Sequence, residues 1–77
     1  MSAAAVMYQQ KRKWFLIQYP LCQVFKDRPS VEIHHKKGRG KYLLDESTWL
    51  AVSREAHRKI HDNPKWSYDN GYLLKRN

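Results

Sequence analysis

Seventy-seven residues with 15 Lys/Arg against 7 Asp/Glu carry a formal charge of +8 and a pI near 9.9, which leaves room for one domain. No run of about 18 apolar residues is present, which excludes a membrane span, and the single cysteine, Cys22, excludes an intrachain disulfide. So large a positive excess in 9.3 kDa favours a polyanionic partner such as nucleic acid, through release of condensed counterions. A chain this short buries only about 60% of its unfolded surface, so a metal or a partner chain is the expected support for its thin core. The opening MSAAAVMY lacks the basic and cleavable parts of a secretory signal. A soluble, reducing, cytoplasmic setting is therefore expected.

In chain order, residues 1–7 read as a loose leader. A short helix is predicted from Tyr8 to Tyr19, basic at Lys11, Arg12 and Lys13, and ended by Pro20, which disfavours helical backbone in the residue before it. Leu21–Phe25 is apolar, and Asp27–Ser30 reads as a turn. Val31 and Ile33 open a short strand that runs into His34 and His35. A basic, glycine-containing loop follows at Lys36–Lys41, then a second strand from Trp49 to Val52. The next helix has the clearest start: Ser53 as N-cap and Glu55 in the first turn, with Arg58 and Lys59 toward the end that prefers cations. Asn63 and Pro64 repeat the start signal, Gly71 stops the short helix they open, and Tyr72–Leu74 should fold back onto the core. Trp14, Trp49 and Trp66 read as core, because a small domain needs large buried side chains. The class is α+β, with residues 1–20 as leader and helical segment and residues 21–77 as the functional domain.

The four histidines form two pairs, His34–His35 at a strand end and His57 with His61 on the helix. A spacing of four stacks two side chains on one helix face, where both imidazoles can converge on one cation. One nitrogen from the strand pair would complete three protein ligands and leave a position open for water or substrate, the mark of a catalytic metal site. Adjacent strand residues point to opposite faces, so His34 and His35 should divide the work, one on the ion and the other accepting a proton. A strong twist at the strand end would be needed to bring both to one substrate.

EIHH at Glu32–His35, STWLAVSREAH at Ser47–His57, RKIH to His61 and DNP to Pro64 together resemble the HNH endonucleases. The likeness covers Cys22 to Leu74, and the run YPLCQVF through HDNPKWSYDNGYL looks particularly like small bacteriophage HNH proteins. It implies a small ββα-metal (His-Me finger) core with a basic loop, an N-terminal helical segment and a short C-terminal helix. The implied activity is metal-dependent hydrolysis of a DNA phosphodiester bond that leaves 5′-phosphate and 3′-hydroxyl ends. On the same resemblance His34, His57 and His61 are metal ligands, the last as in colicin-type DNases, and His35 is the general base. Thr48 falls where the family has an asparagine that holds the base or assists at the metal. The zinc-knuckle positions of many HNH proteins fall on Cys22, Phe25, Ser53 and Ala56, so a thiolate zinc site is lost. Phe25 and Ala56 are expected to fill that space, with Ser53 kept as a helix cap.

One divalent ion is implied. Imidazoles suit zinc, nickel or cobalt, and an added oxygen ligand would admit magnesium or manganese. Glu32, on the strand face of His34, either fixes the tautomer of a ligand histidine or is an exposed carboxylate. Lys36, Lys37, Arg39 and Lys41 beside the catalytic pair, with Arg28, Arg54 and Arg58, are the expected contacts to the phosphate backbone. The partner implied is double-stranded DNA read with low sequence specificity, in a bacterial or phage-infected cell, with a homodimer or recruitment by another phage protein supplying any further specificity. The competing expectation is an HNH-like DNA-binding or phage accessory module with weak or no turnover.

Overall fold

In the computed structural model, which describes residues 2–75, a two-stranded antiparallel hairpin is held between helices on its two faces. The elements are α1 (Ala3–Gln18), β1 (Glu32–His35), β2 (Trp49–Val52), α2 (Arg54–Asp62) and α3 (Pro64–Asp69), with 3₁₀ turns at Gly40–Tyr42 and Glu46–Thr48. The register pairs Glu32 with Val52, Ile33 with Ala51, His34 with Leu50 and His35 with Trp49.

Side chains alternate across a strand, and here both faces are used. Ile33, Trp49 and Ala51 point toward α1 and form one cluster with Tyr8 and Phe15. Val52 joins Cys22, Ala56 and Ile60 in a second cluster on the α2 side, with Leu50, Phe25, Trp66, Tyr72 and Leu73 packed around it. The outer edge of β2 is covered as well: Gln23 donates its backbone N–H to Ala51 O at 2.8 Å and accepts from Ala51 N through its side chain at 2.8 Å. The side-chain bond does for the edge what a third strand would do.

α1 begins five residues before the predicted Tyr8. Ser2 caps it, accepting from Ala5 N at 3.1 Å, and three alanines, the best helix formers, carry its first turn. The supposed leader is therefore helix from Ala3. Trp14 also departs from expectation. The buried face of α1 is set by Tyr8 and Phe15, and Trp14, one position off that line, is 65% exposed. Trp49 is buried and Trp66 partly so.

At α2 the reading holds. Ser53 accepts from Ala56 N at 3.2 Å, and α3 starts with Pro64 at its first turn. Gly71, at φ +76°, takes the left-handed conformation that stops α3. Asn63 makes no side-chain cap to α3; its amide donates instead to Lys59 O at 2.9 Å, closing α2. The tail returns as expected, with Leu74 N donating to Lys36 O at 2.8 Å. As expected from the sequence, Phe25 and Ala56 make apolar contact around Cys22: Cys22 and Ala56 are buried in one cluster with Phe25 packed against it, and Phe25 N donates to Cys22 Sγ at 3.2 Å. No described helix is long and apolar enough to cross a membrane.

Candidate metal centre

The hairpin and α2 bring three imidazoles together. One nitrogen each from His34, His57 and His61 lies within 4.8 Å of the others, and the ring centroids are 5.2 Å (His34–His57), 5.5 Å (His34–His61) and 4.8 Å (His57–His61) apart. His34 is supplied by the α2-facing side of β1 and is 1% exposed. His57 and His61 stack one turn apart on α2, His57 half-buried and His61 exposed.

The tautomers are set from outside the cluster. His34 Nε2 donates to the backbone carbonyl of Tyr72 at 2.6 Å, which leaves the lone pair on Nδ1. His57 Nδ1 donates to Glu32 Oε1 at 2.9 Å, which leaves the lone pair on Nε2. A carboxylate or carbonyl behind a ligand imidazole is the usual support of a metal site, fixing ring orientation and raising ligand basicity. Glu32 thus sits behind His57 rather than His34, and its second oxygen is 3.8 Å from Arg54 Nε. Burial, with the neighbouring imidazoles adding to it, lowers the His34 pKa to about 4, although the Tyr72 carbonyl opposes the shift. The ring is neutral at neutral pH, the form that can bind a cation. Three convergent nitrogens with two of the tautomers fixed from behind fit a single divalent ion in a His₃ site.

His35 faces the other way along β1, toward α1, yet it lines the same cleft as the other three. This cavity of about 280 Å³ is walled by Tyr8, Ile33, His34, His35, Gly38, Arg39, His57 and His61. The strand ends at His35, whose carbonyl accepts from Gly38 N at 2.9 Å. Gly38, at φ +74°, makes the tight turn that returns Arg39 to the cleft. The reversal directly after His35 brings both strand histidines to one mouth. Burial, then Arg39, then His57 lower the His35 pKa to about 4, so this imidazole too is neutral at neutral pH.

Thr48 stands apart. It is 4% exposed, its hydroxyl donates to Asp45 O at 2.7 Å within the 3₁₀ turn, and it does not line the cleft. Among the described residues the side chain that hydrogen-bonds His35 is Tyr8, with its hydroxyl 3.3 Å from His35 Nε2. No local pattern points to Tyr8, which is 27 residues away in sequence.

Of the basic residues singled out from the sequence, Arg39 reaches the cleft and lies over the Tyr8 ring at 5.1 Å. Lys37 and Lys41 lie over Tyr42, and Lys36 binds through its backbone to Thr48 O and Leu74 N. Arg54 and Arg58 line a second groove of about 320 Å³ that shares His57 and His61 with the first. Arg28 is farther off, paired with Asp27 and stacked over Phe25. Among known proteins no family model, no curated protein and no solved structure matches this chain.

Proposed function

We propose that the chain is a metal-dependent endonuclease of the HNH kind, built on a ββα-metal core, that hydrolyses a phosphodiester bond of DNA. The observation that carries this reading is the convergence of His34, His57 and His61 on one point, with His35 and Arg39 in the same cleft. A bound divalent ion would supply the Lewis acidity that offsets charge on the scissile phosphate and on the departing sugar oxygen. His34 Nδ1, His57 Nε2 and one His61 nitrogen would hold that ion, with Glu32 and the Tyr72 carbonyl orienting two of them. Neutral His35 takes a proton from water, whose oxygen then bonds to phosphorus in line with the P–O3′ bond that breaks. The 3′ oxygen takes a proton from solvent, leaving 5′-phosphate and 3′-hydroxyl ends. Arg39 at the mouth, and Arg54 and Arg58 across His57 and His61, suit phosphates on either side of the imidazoles. Three imidazoles favour zinc, nickel or cobalt over magnesium.

The test is cleavage of supercoiled plasmid with a panel of divalent ions. Chelator should abolish it, and His35→Ala should slow turnover by about 10²–10⁴-fold while leaving DNA binding in place. Equal cutting by His35→Ala and the parent would refute the assignment of the base. The second reading, a DNA-binding module without turnover, draws support from the Thr48 hydroxyl being engaged by Asp45 O. Metal-loaded protein that binds plasmid and never cuts it would establish that reading instead.

A further inference from the structure

We propose that Tyr8 is the positioning residue for His35, a role that rests on the nuclease reading above and brings the N-terminal helix into the active site. Within the described residues the hydrogen-bond partner of the His35 side chain is the Tyr8 hydroxyl, at 3.3 Å from Nε2. That is slightly longer than the usual hydrogen-bond range, as contacts in an active site without substrate often are. The phenol is itself held on several sides. Tyr8 is buried in the α1 cluster, its ring meets Trp49 edge-on at 5.6 Å, and the Arg39 guanidinium lies 5.1 Å over its face. The Tyr8 and His35 rings lie 5.7 Å apart at an interplanar angle of 33°, and Trp49 lies 5.8 Å from His35, so the three rings form a nearly equilateral triangle. The imidazole therefore packs against a pair of touching aromatic rings, and the Tyr8 hydroxyl is its side-chain hydrogen-bond partner among the described residues.

When the phenol oxygen accepts from Nε2–H, the His35 lone pair is on Nδ1, and that nitrogen is the one left to take the proton from water. Thr48, which the sequence suggested for holding the base, has its hydroxyl engaged elsewhere. The holding group thus comes from a different element, 27 residues before the base rather than 13 after it. Tyr8 touches neither water nor phosphate in this scheme; it acts through His35 alone.

Tyr8→Phe keeps the ring against Trp49 and removes only the oxygen. In the metal-loaded full chain, plasmid cleavage by Tyr8→Phe should show kcat lowered by about tenfold, the worth of one hydrogen bond. KM, zinc affinity by titration and melting temperature should match the parent. Added to His35→Ala, the same substitution should cost nothing further, because the phenol has lost the group it holds. Independently of turnover, ¹⁵N NMR of the His35 ring should show the Nε2–H tautomer in the parent and a mixed population in Tyr8→Phe. Parent-like kcat in Tyr8→Phe, an undiminished loss in the His35→Ala background, or an unchanged tautomer would each overturn the role while leaving the nuclease intact. A parent that cuts nothing would overturn the reaction and the role together.

Discussion

His34 refuses a proton that the unfolded chain would accept. Its pKa, about 4 in the folded protein, is set first by burial and then by His57, His61 and His35 around it, against an ordinary value of about 6.5. His35 is lowered to about 4 as well, by burial first and by Arg39 and His57 after it. Between those two pKa values the unfolded state binds more protons than the folded one, so stability increases with pH across that window. The contribution is complete above about pH 6.5 and is lost as pH falls toward about 4, on the order of 3 kcal/mol for His34. Thermal melts in chelator should show the midpoint dropping steadily across this range, and His34→Gln should flatten much of the slope. A melting temperature independent of pH between those limits would contradict the burial argument.

The elements differ in how plainly their sequence announces them. β1, β2 and α2 were legible because the signal and the structure share a scale: Ile33 and the apolar run Trp49–Val52 each fall within a four-residue strand, and Ser53 is three residues from the N–H it caps. The cap matters because α2 carries two of the three converging imidazoles. Ser53→Ala should cost about 1 kcal/mol, read as a drop of about 4–8 °C in the melting midpoint for a domain of this size. The start of α1 was missed because an apolar, alanine-rich opening looks the same as a leader until its serine cap is seen. Trp14 was misplaced because size argues for burial, whereas the hairpin meets the face of Tyr8 and Phe15. Spacing alone made His57 and His61 legible as a pair and called for one histidine of the strand pair, and the family resemblance pointed to His34. The supports of the cluster were not legible: the Tyr72 carbonyl is 38 residues from His34 and the Tyr8 hydroxyl 27 from His35, and neither distance leaves a periodic trace.

Over the whole molecule, the cations near the imidazoles fall on two sides. Arg39 is at one mouth, and Arg54 and Arg58 are in the groove beyond His57 and His61. Each phosphate neutralised on duplex DNA contributes about −0.9 to the log–log dependence of affinity on salt. If DNA is the partner as proposed, replacing Arg54 and Arg58 together by Ala should make the slope shallower by about 2 units in anisotropy titrations, and an unchanged slope would remove both from the proposed contact. The hairpin between the helices has one more consequence. Ile33 and His35 serve α1, Glu32 and His34 serve α2, and the tetrapeptide Glu32–His35 works as a reading frame of two interleaved messages. A single-residue insertion between Glu32 and His34 would turn His34 toward Tyr8 and His35 toward His57 and His61, exchanging the places of the two imidazoles. The stretch 40–48 lies outside that frame and beyond the turn that returns Arg39 to the cleft, so a change of length is better tolerated there than in the four residues of β1.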